Sequence, residues 1–156
     1  VKELEDYLAA YVGARYCLTC ANGTDALTMV LMAWDIKAGD AVFVPDFTFF
    51  ATGEAVSLMG ATPVFVDVDA DTFNIDPNRL ENVIKETLKI GQLKPRAIIP
   101  VDLFGLPANY PEIKKIARKY GLLILEDGAQ GFGGMLNGQR ACSFGNAATT
   151  SFLLNP

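Results

Sequence analysis

Leu122-Leu123-Ile124-Leu125-Glu126-Asp127-Gly128-Ala129-Gln130 is the stretch that decides the fold. Four apolar residues in succession predict a strand buried on both faces, which is the mark of a parallel sheet with helices on either side. The run ends in two carboxylates and a glycine. In an open α/β sheet the ligand sits beyond the carboxyl ends of the strands, so Asp127 and Gln130 fall at the mouth of any site. A carboxylate there can also be a plain cap or turn residue.

Working outward, strands and helices alternate about five times. Leu4, Tyr7, Leu8, Tyr11 and Val12 follow helical spacing, with Gly13 as the stop. A strand is expected at about 16–20, followed by a helix from Thr24 to about Trp34. That helix is apolar nearly all round and is expected to be buried, with a subunit contact as one way of covering it. Strand Ala41–Val44 ends at Pro45. Asp46-Phe47-Thr48-Phe49 then opens a helix to about Met59, with Gly60 as its end signal. Strand 64–66 follows, and Asp76-Pro77 starts a helix carrying Leu80, Val83, Ile84, Thr87 and Leu88 on one face. Strand 96–101, a helix from Pro111 to Tyr120, the central strand and a last strand at 147–152 complete the chain. The pattern predicts one α/β domain over 1–156, a mostly parallel sheet flanked by helices.

Composition excludes several chemistries. The 156 residues contain no histidine, which removes Ser-His-Asp and Cys-His triads and His-ligated zinc; no metal site is expected. Three cysteines do not make a disulfide framework. Cys17 and Cys20 have Cys-x-x-Cys spacing, but on a strand they would face opposite sides, so buried reduced cysteines are expected. The net charge of −5 argues against nonspecific binding of nucleic acid or anionic membranes. No apolar run approaches a membrane span, and the acidic start does not look like a signal peptide, so a cytoplasmic setting is expected. The glycines at 128, 131, 133 and 134 match neither G-x-G-x-x-G nor a Walker A loop.

Two further candidates sit at strand ends. Asn22-Gly23-Thr24 offers exposed N–H groups, a flexible glycine and a hydroxyl at a helix start, which suits a phosphate; equally, Thr24 could be an N-cap and Gly23 a turn residue. An aromatic of Pro45-Asp46-Phe47-Thr48-Phe49 could stack on a planar ring, although ten phenylalanines make a core role the default for any one of them. The lysines lie on predicted helices and turns as solvated charge.

Taken together, Cys20–Leu27, Phe47–Thr52, Gly60–Asp67, Ala97–Val101 and Glu126–Gln130 resemble, in order and spacing, the DegT/DnrJ-type sugar aminotransferases, fold-type I enzymes that use pyridoxal 5'-phosphate (PLP). The resemblance covers nearly the whole chain. It implies that Asp127 pairs with the pyridine nitrogen and that Phe49 lies against the ring face. It places Gly23, Thr24 and Ser151 at the phosphate, and Gln130 near the ring hydroxyl. An ion pair at about 4 Å and an effective dielectric of about 20 attracts by about 4 kcal/mol, or about three pKa units. That is enough to keep the ring nitrogen protonated at neutral pH.

The implied reaction moves an amino group, typically from glutamate, to a keto group on a nucleotide-linked sugar. Asn137–Cys142 looks most like the subgroup acting on UDP-2-acetamido-3-keto-uronic acids. The resemblance also places a cofactor-bonding lysine at position 156, where this sequence has Pro156. It implies the N-terminal part of a PLP-binding large domain from a longer polypeptide, without the small C-terminal domain, and a homodimer in the full-length protein. The alternatives are a PLP-dependent sugar dehydratase of the same family, a Rossmann-type nucleotide- or cofactor-binding module, and an inert oligomerisation module.

Overall fold

The structure, a computed structural model, describes residues 1–152. Its main sheet contains β1 (Asp40–Pro45), β2 (Thr62–Val66), β3 (Lys94–Ile98), β4 (Leu123–Asp127) and β7 (Ala147–Thr149), in the order β2-β1-β3-β4-β7. Every pairing in it is parallel. The short strands β5 (Met135–Leu136) and β6 (Gln139–Arg140) form a separate antiparallel hairpin. Helices α1 (Lys2–Val12), α2 (Gly23–Ala33), α3 (Ala51–Leu58), α4 (Pro77–Ile90) and α5 (Tyr110–Tyr120) complete the set.

Strand alternation builds two cores. Ala41 and Phe43 of β1 point to one face, where they join Leu80 and Ile84 of α4 and Ile113 and Ile116 of α5. Val42 and Val44 point to the other, against Leu27 and Leu31 of α2 and Ala55 and Val56 of α3. This period of two explains why β1 and β4 read as continuous apolar runs: both faces are covered. The carboxyl ends of the strands therefore share one edge of the sheet.

Several boundaries differ from the sequence reading. No strand forms at 16–20. Instead the backbone N–H and the hydroxyl of Thr19 both donate to Oε1 of Glu5, at 2.8 and 3.0 Å. A carboxylate, rather than a neighbouring strand, satisfies the backbone there. With no strand, Cys17 is only half-buried and Cys20 is exposed, so the pair is not a buried one. On α1 the buried residues are Glu5 and Ala9, whereas Leu4 and Tyr7 of the expected face are exposed. On α2 only Leu27 and Leu31 are buried; Met29 and Met32 are 52% and 62% exposed, so the helix is covered on one side. Leu88 of α4 is also exposed.

Helix α3 begins at Ala51, later than expected, because residues 46–50 leave β1 as irregular chain. β3 ends at Ile98, and Val101 reaches Asp127 only through an isolated bridge. β7 stops at Thr149, so Ser151 lies just past the strand. Position 156, where the resemblance expects a lysine, lies outside the described residues.

Candidate active site

Asp127 closes β4 at the carboxyl edge, and its side chain is buried, with 5% of the residue exposed. The chain can leave the strand there because the next residue is glycine. A Cβ on Gly128 would lie 2.6 Å from Cys142 Sγ, and the Gly128 N–H donates to Thr149 O at 2.8 Å. Thr52 Oγ1 donates to Asp127 Oδ2 at 2.9 Å, and Ala129 N–H donates to Oδ1 at 3.3 Å. Burial pushes the Asp127 pKa up, and these two bonds pull it partly back. Among the described residues no lysine or arginine pairs with it. A buried carboxylate without a cation is expensive, and a cationic N–H at Oδ1 would relieve that cost.

Gly23 and Ser151 meet at the same edge. A Cβ on Gly23 would fall 3.0 Å from Ser151 Cβ and 3.4 Å from its Oγ, so glycine is what lets the two segments approach. The N-cap of α2 is Asn22, not Thr24: its side chain accepts from Asp25 N–H at 2.9 Å. Gly23 and Thr24 therefore occupy the first turn. Their N–H groups have no acceptor among the described residues and point along the positive end of the helix dipole. Ser151 is tied to Asp127 through the sheet, because Asp127 is in register with Thr149, two residues earlier.

Phe49 is 72% exposed, so a core role does not account for it. Its carbonyl accepts from Thr52 N–H at 3.2 Å, which places the phenylalanine one helical turn from the hydroxyl that holds Asp127. Gln130 is also exposed, and its Oε1 accepts from Phe104 N–H at 2.8 Å. Its acceptor is thus committed to the 103–105 turn, while its amide N–H groups remain free among the described residues. The geometry links Gly23 to Ser151, Ser151 through β7 to Asp127, and Asp127 through Thr52 to Phe49. Gln130 joins the set only through its own loop.

Sequence reading missed what stands behind Asp127. Asp102 and Glu126 are fully buried neighbours. Asp102 Oδ1 accepts from Tyr110 OH at 2.8 Å and from Ala108 N–H at 3.1 Å; among the described residues no N–H or hydroxyl reaches Oδ2, and the Asp102 and Glu126 carboxyls interact directly. Glu126 accepts from the N–H groups of Cys142, Phe144 (2.7 Å) and Gly145 (3.3 Å), pinning the segment that leads into β7. Burial and then the charge of Asp102 push the Glu126 carboxyl up to about 7; burial likewise raises Asp102. The one available signal was an acid closing each of two apolar runs, Ile98–Val101 and Leu122–Leu125. Thr52 stood out only as the last residue of the matched block Phe47–Thr52.

The residues fit a flat, phosphorylated, nitrogen-containing ring. The buried acid without a cation suits a ring N–H, and the glycine-lined helix start suits a phosphate. No cluster of three or more metal-ligating side chains exists among the described residues.

Comparisons with known proteins give the chain's family. The family model described as the DegT/DnrJ/EryC1/StrS aminotransferase family matches residues 1–155. The chain is 50% identical over 152 residues to a UDP-2-acetamido-2-deoxy-3-oxo-D-glucuronate aminotransferase of Pseudomonas aeruginosa, covering 97% of this chain and 40% of that protein. It is 46% identical over 151 residues to a UDP-N-acetyl-3-dehydro-alpha-D-glucosamine 3-aminotransferase of Acidithiobacillus ferrooxidans, covering 97% and 39%. The crystal structure of a DegT DnrJ EryC1 StrS aminotransferase from Brucella abortus superposes with a TM-score of 0.96 at 52% identity, covering 97% of this chain and 40% of that one. The chain thus spans about two-fifths of the length of the relatives it matches.

Proposed function

The chain belongs to the DegT/DnrJ/EryC1/StrS aminotransferase family, whose aminotransferases are PLP-dependent, and we propose that it forms the cofactor-binding part of an enzyme that aminates a keto group on a nucleotide-linked sugar. The observation that carries this reading is the buried, cation-free carboxylate of Asp127, joined through β7 to the contact between Gly23 and Ser151. UDP-2-acetamido-3-keto-uronic acid is the proposed acceptor and glutamate the donor. The relatives at 50% and 46% identity are both named for amination at a 3-keto position. A homodimer in the cytoplasm completes the reading. In keeping with it, no helix among the described residues is long and apolar enough to cross a membrane.

PLP supplies, when bound, an electrophilic carbonyl and an electron-withdrawing ring for moving an amino group. The chain's own residues bind and orient it. Asp127 holds a proton on the ring nitrogen, because separating that proton from a buried carboxylate would leave the charge unpaired. The N–H groups of Gly23 and Thr24 and the hydroxyl of Ser151 take the phosphate at the start of α2. Phe49 covers a ring face with an exposed aromatic surface. Gln130 offers its amide N–H to the ring hydroxyl while its oxygen holds Phe104.

Equilibrium dialysis of PLP against the chain tests this directly. Saturable binding is expected, weakened at least about tenfold by Asp127→Ala, which corresponds to one pKa unit of lost ion pairing. Equal affinities would remove Asp127 from the role. A dehydratase of the same family would share these contacts. Product analysis of the full-length protein separates the two, because only amination adds nitrogen to the sugar.

A further inference from the structure

We infer that Thr52 is the positioning residue of the site: its hydroxyl fixes the Asp127 carboxylate through Oδ2 and leaves Oδ1 as the oxygen that meets a ring N–H. The inference rests on the cofactor reading above and extends it to a residue outside the ligand contacts.

Proton accounting carries the argument. Thr52 Oγ1 lies 2.9 Å from Asp127 Oδ2 and 3.2 Å from Thr48 Oγ1. An ionised carboxylate only accepts, so the single Thr52 proton must go to Asp127. Thr52 can then only accept from Thr48, which makes Thr48 the donor of that pair. The chain of hydroxyls runs in one direction, Thr48 to Thr52 to Asp127, and every member is satisfied as long as Asp127 is ionised. Protonating Asp127 at Oδ2 would reverse the chain, with Asp127 donating to Thr52 and Thr52 to Thr48, and would give up the stronger bond that a hydroxyl makes to a charged carboxylate.

Position supports the same role. Thr52 is 1% exposed, so water cannot replace its hydroxyl, and it sits in the first turn of α3, whose N-terminal dipole favours a negative charge. The remaining partner of Asp127, Ala129 N–H, makes a long bond of 3.3 Å to Oδ1. That oxygen keeps acceptor capacity. The other titratable groups that feel Asp127 are Asp102, Tyr110 and Cys142. None is a cation, so no described side chain takes over if Thr52 is lost.

The test uses Thr52→Val, which keeps shape and removes the hydroxyl, with Thr52→Ser as the rescue. Carbon-13 carboxyl NMR of the cofactor-free chain reads the Asp127 titration without any ligand. The valine variant should titrate about one unit higher than wild type, and the serine variant should return toward it. PLP affinity, measured by dialysis between pH 6 and 8, should fall for valine by up to about tenfold, with the larger loss at the lower pH, and recover for serine. An unchanged Asp127 titration in a folded valine variant overturns the inference, as does a serine variant that behaves like valine. A shifted titration in a protein that binds no PLP even as wild type upholds Thr52's control of Asp127 and refutes the cofactor reading instead.

Discussion

Replacing Asp102 with asparagine perturbs the two buried carboxyls behind Asp127 without changing their shape. Asparagine keeps Oδ1 for Tyr110 OH and Ala108 N–H, and it puts an amide donor in place of Oδ2, the oxygen that no N–H or hydroxyl reaches among the described residues. In the native chain Glu126 rises from its ordinary 4.5 to about 7, first because burial penalises its charge and then because Asp102 repels it. A carboxyl whose folded pKa lies above its unfolded value binds its proton more tightly when folded. It therefore contributes stability that is complete below about pH 4.5 and is lost as the pH rises through about 7. At 1.36 kcal/mol per unit, Glu126 alone removes about 3 kcal/mol over that window. Asp102→Asn deletes the repulsion but not the burial, so the decline should shrink by about 1 kcal/mol or more. Urea unfolding followed by the fluorescence of the single tryptophan, Trp34, between pH 4.5 and 8 measures it. The variant should be the more stable protein at pH 7.5. Equal pH slopes in the two proteins would refute the shared-charge argument, and so would native stability that climbs steadily from pH 4.5 to 7.5.

Gly23→Ala places a methyl group 3.0 Å from Ser151 Cβ. PLP affinity should drop about tenfold or more, while overpacking costs about 1–3 kcal/mol by urea unfolding; unchanged dialysis would remove this contact from the phosphate site. Gly131→Ala drives a Cβ to 2.5 Å from Asp102 Cβ and 2.7 Å from its Oδ2, so a loss of at least about 1–3 kcal/mol is expected, visible as a fall in melting temperature. Thiol labelling at pH 8 should modify exposed Cys20 first and Cys142 last, because burial pushes the Cys142 thiol up to about 12 and leaves almost no thiolate. Mass spectrometry of the labelled peptides gives the order, and early labelling of Cys142 would contradict its burial.

Much of the sheet was legible because strands such as β1 and β4 are buried on both faces. Val42-Phe43-Val44 and Ile124-Leu125 can only be continuous apolar runs if helices cover both sides, and the two cores confirm that. Segment 16–20 misled because β-forming composition does not reveal a partner. Thr19 found Glu5, fourteen residues away, rather than a strand. Helix α2 misled for a related reason. Its residues are apolar on every side, yet the sheet covers only one, leaving Met29 and Met32 outside.

By itself the sequence established a parallel α/β chain with acids, a glycine and an aromatic at its strand ends, because alternation and punctuation are local properties of a chain. Tertiary structure alone decided which of those groups meet. Asp127 meets Thr52 across 75 residues of sequence, and Gly23 meets Ser151 across still more. The same holds for Glu126 and Asp102, whose raised pKa values come from burial side by side. Desolvation and hydrogen bonding act through distances in space, and those distances exist only once the strands have been set in order.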